Sequence, residues 1–314
     1  MKVFSAIIIL LLTPLLASCG GGSGGGNPPS STYDAFGSPV QVVISGYNDD
    51  IMEPFLSRDE QYLFFNDNYR DLAPPATSGK NLHYATYDAS SDTFTYVGVI
   101  GPNINDDRSV QGVPTMDNND NFYFVDTKYY DPLGTPPVYV TLFTGSWTGT
   151  AVNGVVPVVG LDFPSAGFLN FDLEISLDGQ TMWFNDGFFS GNAFPDAADI
   201  KYATKILPGV FGRAPDTDTI MANVNTTDDL EYAPAISADG LELFFTRLDM
   251  DTMDARIYRS TRTDTGSAFT SAKLVSDIPG FAEGATFSRD EKTLYYHWHN
   301  TAADKFELYR VTRP

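Results

Sequence analysis

The chain has one cysteine, three histidines and three tryptophans in 314 residues. A lone thiol cannot form an internal disulfide. With so few thiols and imidazoles, a transition-metal centre has little to draw on. Cations are scarce as well: 19 Lys and Arg stand against 40 Asp and Glu, a formal net charge of −21 at pH 7. Nucleic acid and anionic surfaces require clustered Lys and Arg, so nucleic acid is excluded as a partner. No apolar run beyond the N-terminus is long enough to cross a bilayer. No segment longer than about ten residues carries a helical amphipathic period. A Gly-x-Ser-x-Gly elbow, a phosphate loop and an HExxH helix are all missing. The acidity does not imply disorder, because hydrophobic residues make up 42% and aromatics 14% of the chain, enough for a sizeable core.

Residues 1–18 read as a secretory signal peptide. Lys2 supplies the positive end, and the apolar run 3–16, interrupted only by Ser5, Thr13 and Pro14, is shorter than the ~20 residues of a membrane span. Leu16-Ala17-Ser18-Cys19 matches the bacterial lipobox, which gives the single cysteine, Cys19, the role of lipid acceptor. Residues 19–32 are rich in Gly and Ser and are expected to tether a folded domain, residues 33–314, to an acylated N-terminus. The residue after the cysteine is Gly20 rather than Asp. By resemblance to lipoprotein sorting rules, that implies the outer membrane of a Gram-negative cell envelope, with the membrane touched through the lipid anchor only.

Downstream, five variants of one phrase recur: PFLSRDEQYLFF from Pro54, PTMDNNDNFYFV from Pro114, LEISLDGQTMWF from Leu173, PAISADGLELFF from Pro234 and ATFSRDEKTLYY from Ala285. The Ser of the phrase falls at Ser57, Ser176, Ser237 and Ser288, with Asp117 in its place in the second copy. A fixed period of about 50–60 residues is the mark of a repeat architecture. Each unit holds two short runs around an Asp-Gly or Asp-Glu turn, then a third strand (for example ARIYRSTR) and a fourth that begins with an aromatic (for example FTSAKLV). The Asp-Gly pair is expected to make a tight two-residue reversal through positive φ, with the Ser or Asp side chain bonding turn amides. The segments before the first phrase and after the last together amount to about one unit. The expected fold is therefore all-β: a five-bladed β-propeller of four-stranded antiparallel blades, in preference to six. The stretch FGSPVQVV, residues 36–43, is the expected fourth strand of the last blade.

The phrase Ser-x-Asp-Gly-x-x-Leu-x-Phe, with a Pro three residues ahead of the Ser, resembles the WD-like propeller repeat of the Pro-Asp type. That family includes TolB-like propellers and many envelope lipoproteins. The resemblance covers residues 34–314. TolB-like proteins also carry an N-terminal α/β domain, where this chain has only the linker.

The resemblance implies that the strand before the Asp-Gly turn lines a central channel and begins at the mouth opposite the turns. On that basis Glu53, Gln111, Asp172, Glu231 and Glu283 enter the inner strands at the mouth. Asn66, Asp126, Asn185, Thr246 and His297 follow the motif Phe, and Asp67, Thr127, Asp186, Arg247 and Trp298 lie next outward. Tyr69, Tyr129, Tyr130, Phe188 and Phe189 add aromatic surface nearby. Rings beside carboxylates and amides suit a glycan or a peptide, and they also suit a water-filled channel with no ligand. His297 and His299 alternate on one strand and are candidate metal ligands. Asp249 and Asp251, with Asp254, are candidate ligands for Ca²⁺, although a Gly-anchored Asp-x-Asp-x-Asp loop is missing. No other cofactor is expected. Two functions fit: a non-enzymatic envelope lipoprotein that binds a protein or glycan at the mouth, or a carbohydrate-active enzyme, glycoside hydrolase-like, using mouth carboxylates.

Overall fold

The computed structural model describes residues 32–33, 36–68, 79–101, 103–106, 109–163, 165–190 and 195–314. Cys19, the signal segment, the linker before Thr32, and Tyr69 lie outside them. The described chain opens with three two-residue strands, β1 (Thr32–Tyr33), β2 (Val40–Gln41) and β3 (Ile44–Ser45). Five sheets then follow in order, each antiparallel in its first strands.

Numbered along the chain, the first blade is β4 (Met52–Leu56), β5 (Tyr62–Asn66), β6 (Leu82–Asp88) and β7 (Thr93–Val99). The second is β8 (Gln111–Met116), β9 (Asn121–Asp126), β10 (Leu142–Trp147) and β11 (Val152–Pro157). The third is β12 (Phe168–Ile175), β13 (Thr181–Phe188), β14 (Ala197–Leu207) and β15 (Val210–Arg213). After a one-turn helix, α1 (Thr217–Ile220), comes the fourth: β16 (Leu230–Ile236), β17 (Glu242–Asp249), β18 (Asp254–Thr261) and β19 (Lys273–Val275). The fifth is β20 (Ala282–Phe287), β21 (Thr293–Asn300) and β22 (Lys305–Thr312). The architecture is the expected five-bladed propeller.

The turn that names the repeat works through its side chains. Ser57 Oγ accepts the Tyr62 N–H at 2.9 Å and donates to Asp59 Oδ1 at 2.7 Å, and that oxygen accepts the Gln61 N–H at 3.1 Å. Ser176–Asp178, Ser237–Asp239 and Ser288–Asp290 repeat the knot. The reversal is longer than a two-residue hairpin: the Ser57 N–H bonds the Tyr62 carbonyl, so residues 58–61 form the loop. The side chains satisfy the extra amides that the longer loop exposes. Positive φ falls where Gly was expected, at Gly179 (70°) and Gly240 (71°), and also at Glu60, Asp120 and Glu291 in the copies without Gly.

The second copy departs in length. Asp117 Oδ1 alone accepts the Asn119 and Asn121 N–H groups, and Met116 pairs with Phe122, whereas Leu56 pairs with Leu63. Its turn is one residue shorter, so every later residue of β9 sits one register step earlier than the repeat alignment implies.

The ring is closed by the N-terminal segment. β2 pairs antiparallel with β22, completing the fifth blade as the fourth strand expected for residues 36–43. The same segment does more than that. β1 lies parallel on β19 at the edge of the fourth blade, and β3 lies parallel on β7 at the edge of the first, so each of those sheets has five strands. One strap thus laces three consecutive blades across the seam between the last and the first. Phe36 is its buried rivet. It sits among Ala235, Phe244, Val275, Phe287 and Val311, 5.8 Å edge-on from Phe244, and its N–H bonds Asp277 Oδ2 at 3.0 Å. Truncating a buried Phe removes its transfer energy and leaves a cavity. Phe36→Ala is expected to lower the unfolding free energy by about 3–5 kcal/mol, read by urea titration. A loss below about 1 kcal/mol would show that the strap does not hold the ring.

Candidate functional site

Every inner strand breaks register at the same place. β4, β8, β12, β16 and β20 each slip against the neighbouring strand, and one residue in each slip takes positive φ: Glu53 (49°), Val113 (53°), Asp172 (44°), Ala233 (48°) and Gly284 (63°). All five stand four residues before the motif Ser, or before Asp117 in the second copy. Such bulges re-aim side chains, and in a non-glycine residue the left-handed conformation costs about 1–2 kcal/mol. In four of the five, the N–H it frees is captured by the preceding blade. The Glu53 N–H bonds His297 Nδ1 at 3.0 Å, Val113 bonds Asn66 Oδ1 at 3.2 Å, Ala233 bonds Asp172 Oδ2 at 3.1 Å and Gly284 bonds Thr246 Oγ1 at 3.2 Å.

These bonds give several of the expected mouth residues a place. Asn66, Asn185, Thr246 and His297 are buried where one blade meets the next. Asn185 Nδ2 donates to the Glu231 carbonyl. Asp126 is out of series with them, because the shorter turn of the second copy puts Val125 at their position, paired with Gly112. Asp126 instead pairs with Gln111, as Asp186 pairs with Asn170 and Arg247 with Glu231.

The five residues expected to enter the inner strands divide into two groups. Glu53, Asp172 and Glu283 converge on the axis. Lys80, buried at 1% exposure, places Nζ 3.3 Å from Glu53 Oε1. The Tyr232 hydroxyl donates to Glu283 Oε1, and His297 Nε2 lies 3.1 Å from Glu283 Oε2. Because His297 Nδ1 accepts the Glu53 N–H, its proton sits on Nε2 and is donated to Glu283. At the turn-side end, Arg58 of the first blade crosses to Glu174 of the third at 2.7 Å, and Thr115 Oγ1 donates to the other oxygen of Glu174 at 2.9 Å. The free volume among Glu53, Val113, Glu174, Ala233 and Gly284 is ≈ 20 Å³, room for about one water.

Gln111 and Glu231 lie off the axis and hold the segments that cross between blades. Gln111 Oε1 accepts the Asp106 N–H at 3.1 Å, and its Nε2 donates to Ser109 Oγ at 2.5 Å and to Asp126 Oδ1 at 2.9 Å. Glu231 accepts Arg247 Nε at 2.7 Å and both the N–H and the hydroxyl of Thr226 at 2.8 Å. Burial raises the Asp126, Glu174 and Glu231 carboxyls above their usual range, against the pull of these donors.

The candidate metal ligands do not converge. Phe306 packs against both imidazoles, 5.4 Å from His297 and stacked at 4.7 Å on His299. His299 Nε2 lies 3.4 Å from Asp304. Asp249 Oδ1 accepts the Asp251 and Thr252 N–H groups, and Asp254 pairs with Arg256 at 2.7 Å. Among the described residues, no group of three or more His, Cys, Asp or Glu is arranged to hold a metal.

Lys80, Tyr232, Glu174 and Arg58 were not singled out from the sequence. Arg58 and Lys80 stand in loops, where no periodicity marks them. Glu174 shares the period-two face of Asp172 and was the legible one. Open, ligand-sized space lies away from the axis, at the rim of the second blade beside Asp126 and Tyr129.

No protein-family model matches the chain, and no curated protein matches it. Solved structures do. A glycoside hydrolase aligns over 91% of this chain and 92% of its own at 11% identity and a TM-score of 0.59. The endo-arabinase from Bacteroides thetaiotaomicron VPI-5482 aligns over 87% and 96% at 9% identity and a TM-score of 0.51. A putative TolB from Agrobacterium tumefaciens aligns over 87% and 78% at 13% identity and a TM-score of 0.43. At these identities the likeness is one of fold.

The axial carboxylates carry a pH signature. Burial first, then the Glu53 and Glu283 charges, holds the Asp172 carboxyl well above its ordinary 3.8, against the pull of Lys80 and the Ala233 N–H. The folded protein therefore keeps a proton that the unfolded chain gives up. The stability linked to that proton is complete below 3.8 and is lost as pH rises through the folded value. Asp172→Asn keeps an oxygen for the Ala233 N–H and cannot ionise. In urea titrations it should be more stable than the wild type at neutral pH, with the gap closing toward pH ~4. A gap that widens toward acid would refute this account of the axis.

Proposed function

We propose that this chain is a non-catalytic binding propeller of a Gram-negative envelope, anchored through a lipid on Cys19 and presenting its mouth face to a protein or glycan. The observation that carries the reading is the state of the axis. Glycoside hydrolysis needs two carboxylates facing each other about 5–9.5 Å apart, with a sugar and often a water between them. Here one oxygen of Glu53 faces Lys80, Glu283 is engaged by His297 and Tyr232, and Asp172 accepts the Ala233 N–H. The described contacts use these groups to hold blades together.

The fold shared with a glycoside hydrolase and an endo-arabinase keeps carbohydrate within the range of partners without lending the chemistry. Thr32, the first described residue, lies at the outer edge of the fourth blade, so an anchor at Cys19 would hold the propeller by its rim and leave the mouth face open.

Two measurements test the reading. Metabolic labelling with a fatty-acid analogue should mark the wild type and fail on Cys19→Ser; labelling that survives the substitution removes the anchor. Incubation with arabinan, galactan and mannan should release no more reducing ends from the wild type than from Asp172→Asn/Glu283→Gln. Release that this double variant abolishes would replace a binding module with a glycosidase.

A further inference from the structure

The five blades share one local arrangement that the second leaves unfinished. In each, a residue of the second strand stands opposite one of the third near the mouth: Phe65–His83, Phe124–Phe143, Phe184–Lys201, Phe245–Tyr258 and Tyr296–Tyr309. Four of these pairs are covered from within the chain. Tyr47 lies 5.0 Å from Phe65 and 5.4 Å from His83. The Arg213 guanidinium sits 5.0 Å over Phe184, and that of Arg247 sits 5.6 Å over Phe245 and 4.6 Å over Tyr258. Trp298 packs edge-on at 5.4 Å against Tyr309.

Over Phe124 and Phe143, the described residues of the segment entering the second blade bring Ile104, and Tyr129 lies beside Phe143. The third-blade-facing edge brings Val155, where the first blade has Tyr96 beside its own pair. A cleft of ≈ 480 Å³ remains, within the range of about 300–1,000 Å³ that small-ligand sites occupy. Its outer wall is Tyr129, 5.7 Å from Phe143 and 55% exposed.

We infer that this cleft binds a neutral saccharide, with Tyr129 as the stacking platform. The inference rests on the reading of the propeller as a binding module and names the ligand class and its place. A sugar ring has an apolar C–H face and a rim of hydroxyls that both donate and accept. The cleft matches both sides. Tyr129 offers an amphipathic ring, tilted 41° against Phe143, with the Lys128 ammonium 5.7 Å from its centroid. Around it stand an ammonium donor at Lys128, a carboxylate acceptor at Asp126 and the Asn103 amide, which does both. Lys128, the cation among the described lining residues, is held by Asp106 at 3.1 Å, which weakens its pull on an anionic sugar. The net charge of −21 opposes one as well.

The test titrates neutral arabino-, xylo-, gluco-, galacto- and manno-oligosaccharides, with glucuronate as the acidic comparison, into the full chain in detergent, followed by calorimetry. At least one neutral saccharide should bind. Its affinity should fall about tenfold or more in Tyr129→Ala and in Asn103→Ala, and stay within about twofold of wild type in Tyr129→Phe, which keeps the ring. Equal melting curves for the three variants would confirm that the fold is intact. Saccharide binding indifferent to Tyr129 and Asn103 overturns the cleft while leaving the binding-module reading in place. Failure of every neutral saccharide, or tighter binding of glucuronate, overturns the ligand class. Cleavage of the bound sugar would instead sink the binding-module reading itself.

Discussion

A backbone N–H turned toward the axis of this ring has no strand partner, because the bulge that aims it has broken the ladder. Such a group must find an acceptor or cost about 1–3 kcal/mol. The chain supplies acceptors from the blade before: His297, Asn66, Asp172 and Thr246 each take the bulge N–H of the blade that follows. The bond couples four of the five neighbouring blade pairs. It also fixes what the axis can contain. A carboxylate at Asp172 is a fastening first, and its raised pKa is the consequence of being buried to do that job beside two other acids.

The same requirement explains the strap. A ring of stacked sheets has one seam where chain order gives no neighbour, and the two sheets there would present bare edges and an uncovered apolar face. The N-terminal segment answers both needs. Its strands pair with the outer edges of the fourth, fifth and first blades, and Phe36 fills the gap between sheets. Closure is therefore spread over three sheets rather than placed on one hydrogen-bonded strand.

Much of this is legible in the residues themselves. Five copies of one phrase set the blade number, and the Ser and Asp of the turn act as their chemistry suggests. The strand expected to complete the fifth blade does so. What escaped was register. Glu53, Asp172 and Glu283 fall four or five residues before the turn and reach the axis. Gln111 and Glu231 fall six before it and point to the crossing segments instead. One pleat step is enough to exchange the two destinations. Asp126 was misaligned for the same reason, since a single residue missing from the second turn shifts all of β9. Lys80 could not have been read at all, because a loop residue reaches the axis only once the tertiary path is known.

The second blade collects nearly every departure from the repeat. It has lost the motif Ser and Gly, its turn is short, and among the described residues its strand-two and strand-three rings meet Ile104 and an exposed tyrosine, Tyr129. Repeats tolerate drift where only packing is at stake, but drift that opens a cleft beside Phe124 and Phe143 forfeits dispersion contacts on that side and should be selected against unless something else fills it. Local rules in proteins tend to fail where function is placed. The space among Glu53, Glu174 and Gly284 has room for about one water, whereas the second blade has a larger opening at its rim. The asymmetry here is a cleft with an exposed tyrosine at its lip, set among mixed donors and acceptors.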